Sequence, residues 1–210
     1  MSTLPVSSLA KVPRQQRSAE MVHAILDGAV AVLEREGMEN FSTNSVARVA
    51  GVSIGSLYQY FANKEMILAG ILERGMLESE QSIRELMNAD PDAPVEQTLR
   101  VILSTLIDAL EERRDGIRGI LAATPFVADT GVLAVLETRI GDLIRDYLLR
   151  QARRYEIVGG PATFYVRVNA MIYVFLKWIT DRHQRVTRDE VIDSLSELLT
   201  GVVRERGAPA

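Results

Sequence analysis

Cysteine is absent from the 210 residues. That removes disulfides, thiolate metal ligands and thiol redox sensing, and it fits a reducing cytoplasm. Histidine is scarce, with only His23 and His183. No carboxylate–histidine cluster has ligand spacing, and Asp181 and His183, two apart, point to different faces of a helix. Neither a metal nor a cofactor is expected. Long hydrophobic runs are also missing. The longest, 170–176, is followed by Lys177 and falls far short of a membrane span. The opening MSTLPVSSLAKVPRQQR has no continuous apolar core, so no signal peptide is expected. These absences predict a cytoplasmic protein with no membrane partner. Charge of one sign is not in excess either. Lys and Arg number 24 against 28 Asp and Glu, and the net charge of −4 argues against indiscriminate nucleic-acid binding. With 47% hydrophobic and 25% charged residues, the chain reads as one or two small globular domains.

What is present is concentrated in residues 42–65, STNSVARVAGVSIGSLYQYFANKE. The Thr43 hydroxyl can cap a short helix. Val46, Ala47 and Ala50 give that helix a small apolar face, and Gly51 supplies the left-handed conformation that ends it. Ser53 is a second N-cap. It opens a helix with Leu57 and Phe61 inward and Tyr58, Gln59 and Tyr60 elsewhere on its surface. Two short capped helices around a tight glycine turn make a helix-turn-helix. The second helix is polar and aromatic where a solvated helix would carry Lys and Glu. Its hydroxyls and carboxamide suit phosphates and base edges. Gly55 and Ser56 allow close backbone approach, and helix N-termini attract phosphate.

The string Ala50, Gly51, Val52, Ser53, Gly55, Ser56, Leu57, Tyr58, Tyr60, Phe61, Lys64, Glu65 resembles the signature of the tetracycline-repressor (TetR) family of bacterial transcription regulators. The resemblance covers roughly residues 18–68. The rest agrees with the family in length and helical character. One departure concerns specificity. The position before Gly55 is often basic in the family, and here it is Ile54, so the operator of relatives does not carry over.

The remainder reads as helix. Val22, Ile25, Leu26, Ala29, Val32 and Leu33 recur at helical spacing over 18–36, with Gly37 as the stop. His23 is lone and reads as an ordinary surface or core histidine. Phe41 and Phe61 complete a small core. Asn63 caps a helix to about Asn88, weakened slightly by Gly70 and Gly75. A continuous helix there couples the DNA reader to the remainder of the chain. Asp90-Pro-Asp-Ala-Pro is the clearest break. Helices are predicted over 95–112, 116–123 and 130–155, then a turn at Gly159-Gly160-Pro161. The predicted helix 162–182 is apolar nearly all round, and 188–204 has a narrower stripe through Val191, Leu195, Leu198, Leu199 and Val202. No segment alternates as a strand. The expected fold is all-α: a flexible arm over 1–17, a three-helix, homeodomain-like helix-turn-helix domain over 18–63, and a larger helical regulatory and dimerisation domain over 64–206.

The expected function is a dimeric DNA-binding repressor, not an enzyme. Thr43, Ser53, Ser56, Tyr58, Tyr60 and Lys64 are the expected backbone contacts. Gln59 is the base reader, suited to adenine, with Ile54 and Gly55 in close or apolar contact. Arg14 and Arg17 are candidates for a minor-groove arm. Residues 1–64 hold six basic and five acidic groups, a mild objection to DNA binding, although most of the acids cluster at 34–39. The resemblance implies a homodimer through the last two helices, because a helix apolar all round must bury more than one face. It also implies a small-molecule effector held between helices. Met76, Leu103, Ile107, Phe126, Tyr147 and Trp178 are candidate lining residues, and their character suggests an apolar or aromatic ligand. Two rivals remain. Gly51-Val52-Ser53-Ile54-Gly55 matches the nucleophile-elbow pattern of serine hydrolases, which needs a strand before the serine. Alternatively the fold serves as a helical interaction module without an inducing ligand, supported only by the near-neutral charge of residues 1–64. Ester turnover lost in Ser53→Ala would mark the first, and failure to shift any duplex the second.

Overall fold

Helical periodicity is realised almost throughout the computed structural model, which describes residues 8–11, 13, 16–111, 116, 119–120, 132–181 and 185–207. Among the described residues there are eight α-helices: α1 (Gln16–Glu36), α2 (Thr43–Ala50), α3 (Ile54–Tyr60), α4 (Lys64–Ala89), α5 (Val95–Glu111), α6 (Val132–Arg150), α7 (Pro161–Thr180) and α8 (Arg188–Thr200). A 3-10 turn, Met38–Asn40, leads into α2. Of the predicted helix over 116–123, only Gly116, Gly119 and Ile120 are described, and they are helical.

The strand-free reading needs one correction. Tyr155–Ile157 (β1) pairs antiparallel with Val203–Glu205 (β2), Tyr155 facing Glu205. The helix expected over 130–155 therefore ends at Arg150, and the last helix ends at Thr200, short of 204. Three-residue strands are too short to show alternation, and their pairing joins distant parts of the chain. Arg204, bonded to Glu156 across the ribbon at 2.7 Å, lies 48 residues further along the chain.

The chain divides into two compact units. One takes the described residues up to Glu78 and those between 115 and 136. The other takes 79–114 and everything from 137 onward. The domain boundary expected at 63/64 thus falls inside α4. The reason is packing: Ile67 and Leu68, at the start of α4, are almost wholly buried in the core that α1–α3 build.

In the first unit, Val22, Ile25, Leu26, Ala29 and Val32 line the inner face of α1 and meet Phe41, Val46, Leu57 and Phe61. Helix α1 reaches α2 at Gly28, where a Cβ would stand 2.8 Å from both the Cβ and the backbone nitrogen of Ala50. Only glycine permits that approach. Arg74 of α4 bonds Asp27 of α1 at 2.6 Å, and Arg48 of α2 bonds Glu36 at 2.7 Å.

In the second unit, α8 packs against both α5 and α7. Arg100 pairs with Asp193, and Arg188 bonds Asp108 at 2.5 Å. Ascending numbers on α5 meet descending numbers on α8, so these helices run antiparallel. Thr187 caps α8 in a reciprocal box with Glu190. That hydrogen bonding from the Thr187 backbone and hydroxyl holds the Glu190 carboxyl below its usual range. Helices α4 and α6 are joined through Glu80, which accepts from Arg84 at 2.9 Å and from Arg139 at 2.8 Å. Burial acts to raise the Glu80 carboxyl, but these bonds and charges outweigh it and leave it below the usual range.

Candidate nucleic-acid interface

The helix-turn-helix begins with its caps. Ser42, not Thr43, caps α2: it is extended (φ −146, ψ 158) and accepts from the Ser45 amide at 3.1 Å. Ser45 Oγ in turn accepts from the Ser42 amide at 3.0 Å. Two neighbouring hydroxyls compete for that role, and the one with extended backbone takes it. Thr43 instead pairs its hydroxyl with Tyr58 Oη at 3.2 Å. This ties the start of α2 to the outer side of α3. Gly51 ends α2 in the left-handed conformation (φ 66, ψ 27). Ser53 caps α3, accepting from the Ser56 amide at 3.0 Å, with the two serine hydroxyls 2.8 Å apart.

The expected site residues sort into two groups. Ser53, Ile54, Gly55, Tyr58, Gln59 and Lys64 are exposed, with Thr43 and Ser56 half-buried beside them. Tyr60 is not among them: it is 7% exposed and belongs to the core. Positions 57, 60 and 61 recur at the i, i+3, i+4 spacing of one helical face, and that spacing outweighs the polar tip of a tyrosine. Among the described residues of the first unit, the only exposed large hydrophobics are Ile54 and Tyr58, both on α3. No acidic residue lies between Glu39 and Glu65, while Arg48 and Lys64 are exposed within that stretch. The near-neutral charge of residues 1–64 therefore hides a stretch with no acid of its own, although Arg48 within it is paired with Glu36 at 2.7 Å.

The arm differs from expectation. Arg17 is exposed but lies in the first turn of α1, not in a flexible segment. Arg14 lies outside the described residues. Ser8 is wholly buried, and Leu9 packs on the core. No sequence pattern marks these two residues as core.

The hydrolase reading finds Ser53 after a helix and a glycine turn, with its hydroxyl engaged in the α3 cap. Of the effector candidates, Leu103, Ile107, Tyr147 and Trp178 are buried within the second unit. Met76 falls in the first unit beside Ala69, and Phe126 lies outside the described residues. Trp178 Nε1 donates to the Val186 carbonyl at 3.2 Å. Burial pushes the Tyr147 phenol up, and its Oη has no partner in hydrogen-bonding geometry among the described residues. A groove of about 300 Å³ between α5 and α8, lined in part by Arg100, Ser104, Thr105 and Arg188, includes none of the candidates.

Residues 25–71 match the family described as bacterial regulatory proteins, tetR family. This match and the similarities below support a TetR-family transcriptional regulator. The HTH-type transcriptional regulator SAR0097 of Staphylococcus aureus (strain MRSA252) is 22% identical over 197 residues, 90% of this chain and 98% of that protein. Among solved structures, Thermus thermophilus FadR, a TetR-family repressor in complex with lauroyl-CoA, superposes with a TM-score of 0.66 at 21% identity. The match covers 90% of this chain and 99% of that one. A SmeT–triclosan complex gives a TM-score of 0.59 at 18% identity over 91% and 95% of the two chains. These likenesses support the same mostly helical fold over about nine-tenths of the chain. Among the described residues, no helix is long and apolar enough to cross a membrane.

Proposed function

We propose that this TetR-family regulator is a homodimeric repressor that reads a near-palindromic operator through α3 and is released by a small apolar or aromatic effector. The observation that carries the reading is the α2–α3 surface: the stretch between Glu39 and Glu65 has no acidic residue, Lys64 is exposed at its end, and it holds the only exposed large hydrophobics described in the first unit. Ser53, Ser56, Thr43, Tyr58 and Lys64 face the phosphates. Gln59 reads a base edge, and Ile54 offers an apolar contact of the kind a thymine methyl accepts. Two such readers in a twofold pair sit about 34–36 Å apart, or a multiple of that, which makes the operator a near-palindrome.

The dimer is supported by α7, where Tyr165 (64%), Val166 (61%), Tyr173 (69%) and Val174 (42%) stand exposed on a helix whose other side is buried. An apolar face of that kind needs a partner. The exposed residues of α8 are largely acidic or polar, Asp189, Glu190, Asp193, Ser194 and Glu197, so α7 supplies the apolar part of the contact. The apolar effector is supported by the buried aliphatic and aromatic residues of the second unit and by two neighbours of the same fold that hold lauroyl-CoA and triclosan. It acts only through a difference in affinity for the DNA-competent and released dimers.

Selecting bound sequences from random duplexes, then titrating variants in mobility-shift assays, tests the reading. Gln59→Ala is expected to lower discrimination at one base pair of each half-site by about 1–3 kcal/mol. Lys64→Ala should weaken all duplexes alike and flatten the salt dependence. Equal losses on operator and scrambled DNA for Gln59→Ala would refute the assignment of α3 as reader.

A further inference from the structure

Helix α3 has seven residues, about two turns, too short to be stable alone. Its N-terminal end is closed by Ser53. Its C-terminal end has carbonyls with no partner inside the helix, as every helix does. One is the Tyr60 carbonyl, and it accepts a 2.8 Å hydrogen bond from the Ala10 amide, 50 residues earlier in the chain. Two residues before, the Ser8 amide donates to the buried carboxylate of Glu73 on α4 at 3.2 Å. Between them Leu9 packs against the α1–α4 core. The notch that admits this segment is cut by Gly70. A Cβ there would stand 3.0 Å from Leu26 and from Phe61, and 3.1 Å from Ser8 Oγ. A glycine that only weakens a helix when read in isolation is thus the seat of a strap.

We propose that residues 8–10 position the reader: they cap the C-terminal end of α3 from outside and tie it to α4, so operator affinity depends on a segment that acts through α3 and not by touching DNA. The proposal rests on α3 being the reader. It assigns a role to residues expected to form a flexible arm, and it names Ala10 and Ser8, through their backbone amides, as positioning residues. The anchors are backbone donors, so side-chain truncation at Ala10 or Ser8 would miss them. Proline removes the donor.

The test uses the full chain with Ala10→Pro, a version lacking residues 1–10, and Lys11→Ala at the exposed neighbour as control. Two quantities are read. One is amide hydrogen exchange at the end of α3, Phe61 included, in free protein. The other is affinity for the selected operator and for a scrambled duplex across a salt series. Ala10→Pro is expected to speed exchange at the end of α3 about three- to tenfold, the worth of one backbone hydrogen bond. Operator affinity should fall by a similar factor, with a smaller loss on scrambled DNA and no change in salt slope. Lys11→Ala should leave exchange and affinity as they were. Unchanged exchange in Ala10→Pro overturns the proposal whatever the affinity does. So does faster exchange with operator affinity intact. A reduced salt slope in Lys11→Ala would mean that the segment touches phosphate, which also overturns it. The truncation is expected to exceed Ala10→Pro in both readouts, and Ala10→Pro alone decides if truncation unfolds the unit. Should Gln59→Ala leave discrimination intact, the α3 reading fails by itself, while exchange still reports whether the strap holds α3.

Discussion

The two units dispose of apolar side chains differently. In the first, among the described residues, only Ile54 and Tyr58 of the large hydrophobics are exposed, and both sit on the one helix aimed outward. In the second, Tyr165, Val166, Tyr173 and Val174 are all exposed on α7, Ile157 and Val158 just before it, and Val101, Leu149 and Val186 singly elsewhere. A small domain that closes its own core can leave a reader polar and let two side chains stand out. A helix apolar on both sides cannot close alone, and its second side is available to another chain. The first pattern fits a surface for nucleic acid, the second a surface for protein.

Overfilling the closed core gives the largest expected effect. Gly28→Val places atoms where α1 meets Ala50 and should destabilise the first unit by about 1–3 kcal/mol. Denaturant unfolding would read the loss and mobility shift its consequence for DNA. Wild-type stability in this variant would mean that the helices separate freely, and the contrast between the units would be lost. The open face of the second unit is probed next. Tyr173→Arg should weaken self-association on the order of a hundredfold, as a lost aromatic anchor does, and leave the secondary structure intact. Sedimentation over a concentration series would show it, and an unaltered dimer would move the interface off α7.

Gly75→Ala works the other way. A Cβ at this exposed position in α4 meets nothing within 4 Å, so the change should stabilise by about 0.5–1 kcal/mol. Thermal melts would check it, and a loss would place an unseen contact at that position. The smallest effect comes from Glu80→Gln, and it depends on pH. The Glu80 carboxyl is lowered in the fold, so its contribution is present above the unfolded carboxylate range and disappears as pH falls through the folded value. Glu80→Gln lacks that contribution at every pH. The stability gap between the two proteins should therefore be open at neutral pH and close in acid. A gap that stays constant into acid would show that the Arg84 and Arg139 bonds do not favour the ionised form.

Much of the first unit is legible in the sequence because its signals are local. Gly51 needs the left-handed conformation, Ser53 precedes a helix it can cap, and Asn63 caps α4 by accepting from the Met66 amide at 2.8 Å. Each involves residues within a few positions. Thr43 passes for a cap in the sequence because two adjacent hydroxyls look alike until the backbone chooses between them. Tyr60 reads as surface on the chemistry of its tip, although its spacing from Leu57 points inward. The ribbon and the strap leave no trace, since both pair short, patternless segments with distant ones. The same distance explains the boundary inside α4. The periodicity of that helix is continuous, and only the packing of Ile67 and Leu68 on α1–α3 assigns its beginning to the first unit.

Taken by itself, the order of residues determined the helical class and the capped helix-turn-helix, because hydrophobic period and capping chemistry are fixed by neighbours a few positions apart. The tertiary structure alone decided that Tyr60 is core, that Gly28 and Gly70 are points of contact, and that Ser8 to Ala10 reach the end of α3. Those outcomes depend on which distant surfaces meet, and burial and hydrogen bonding between remote segments are set only when the chain closes on itself.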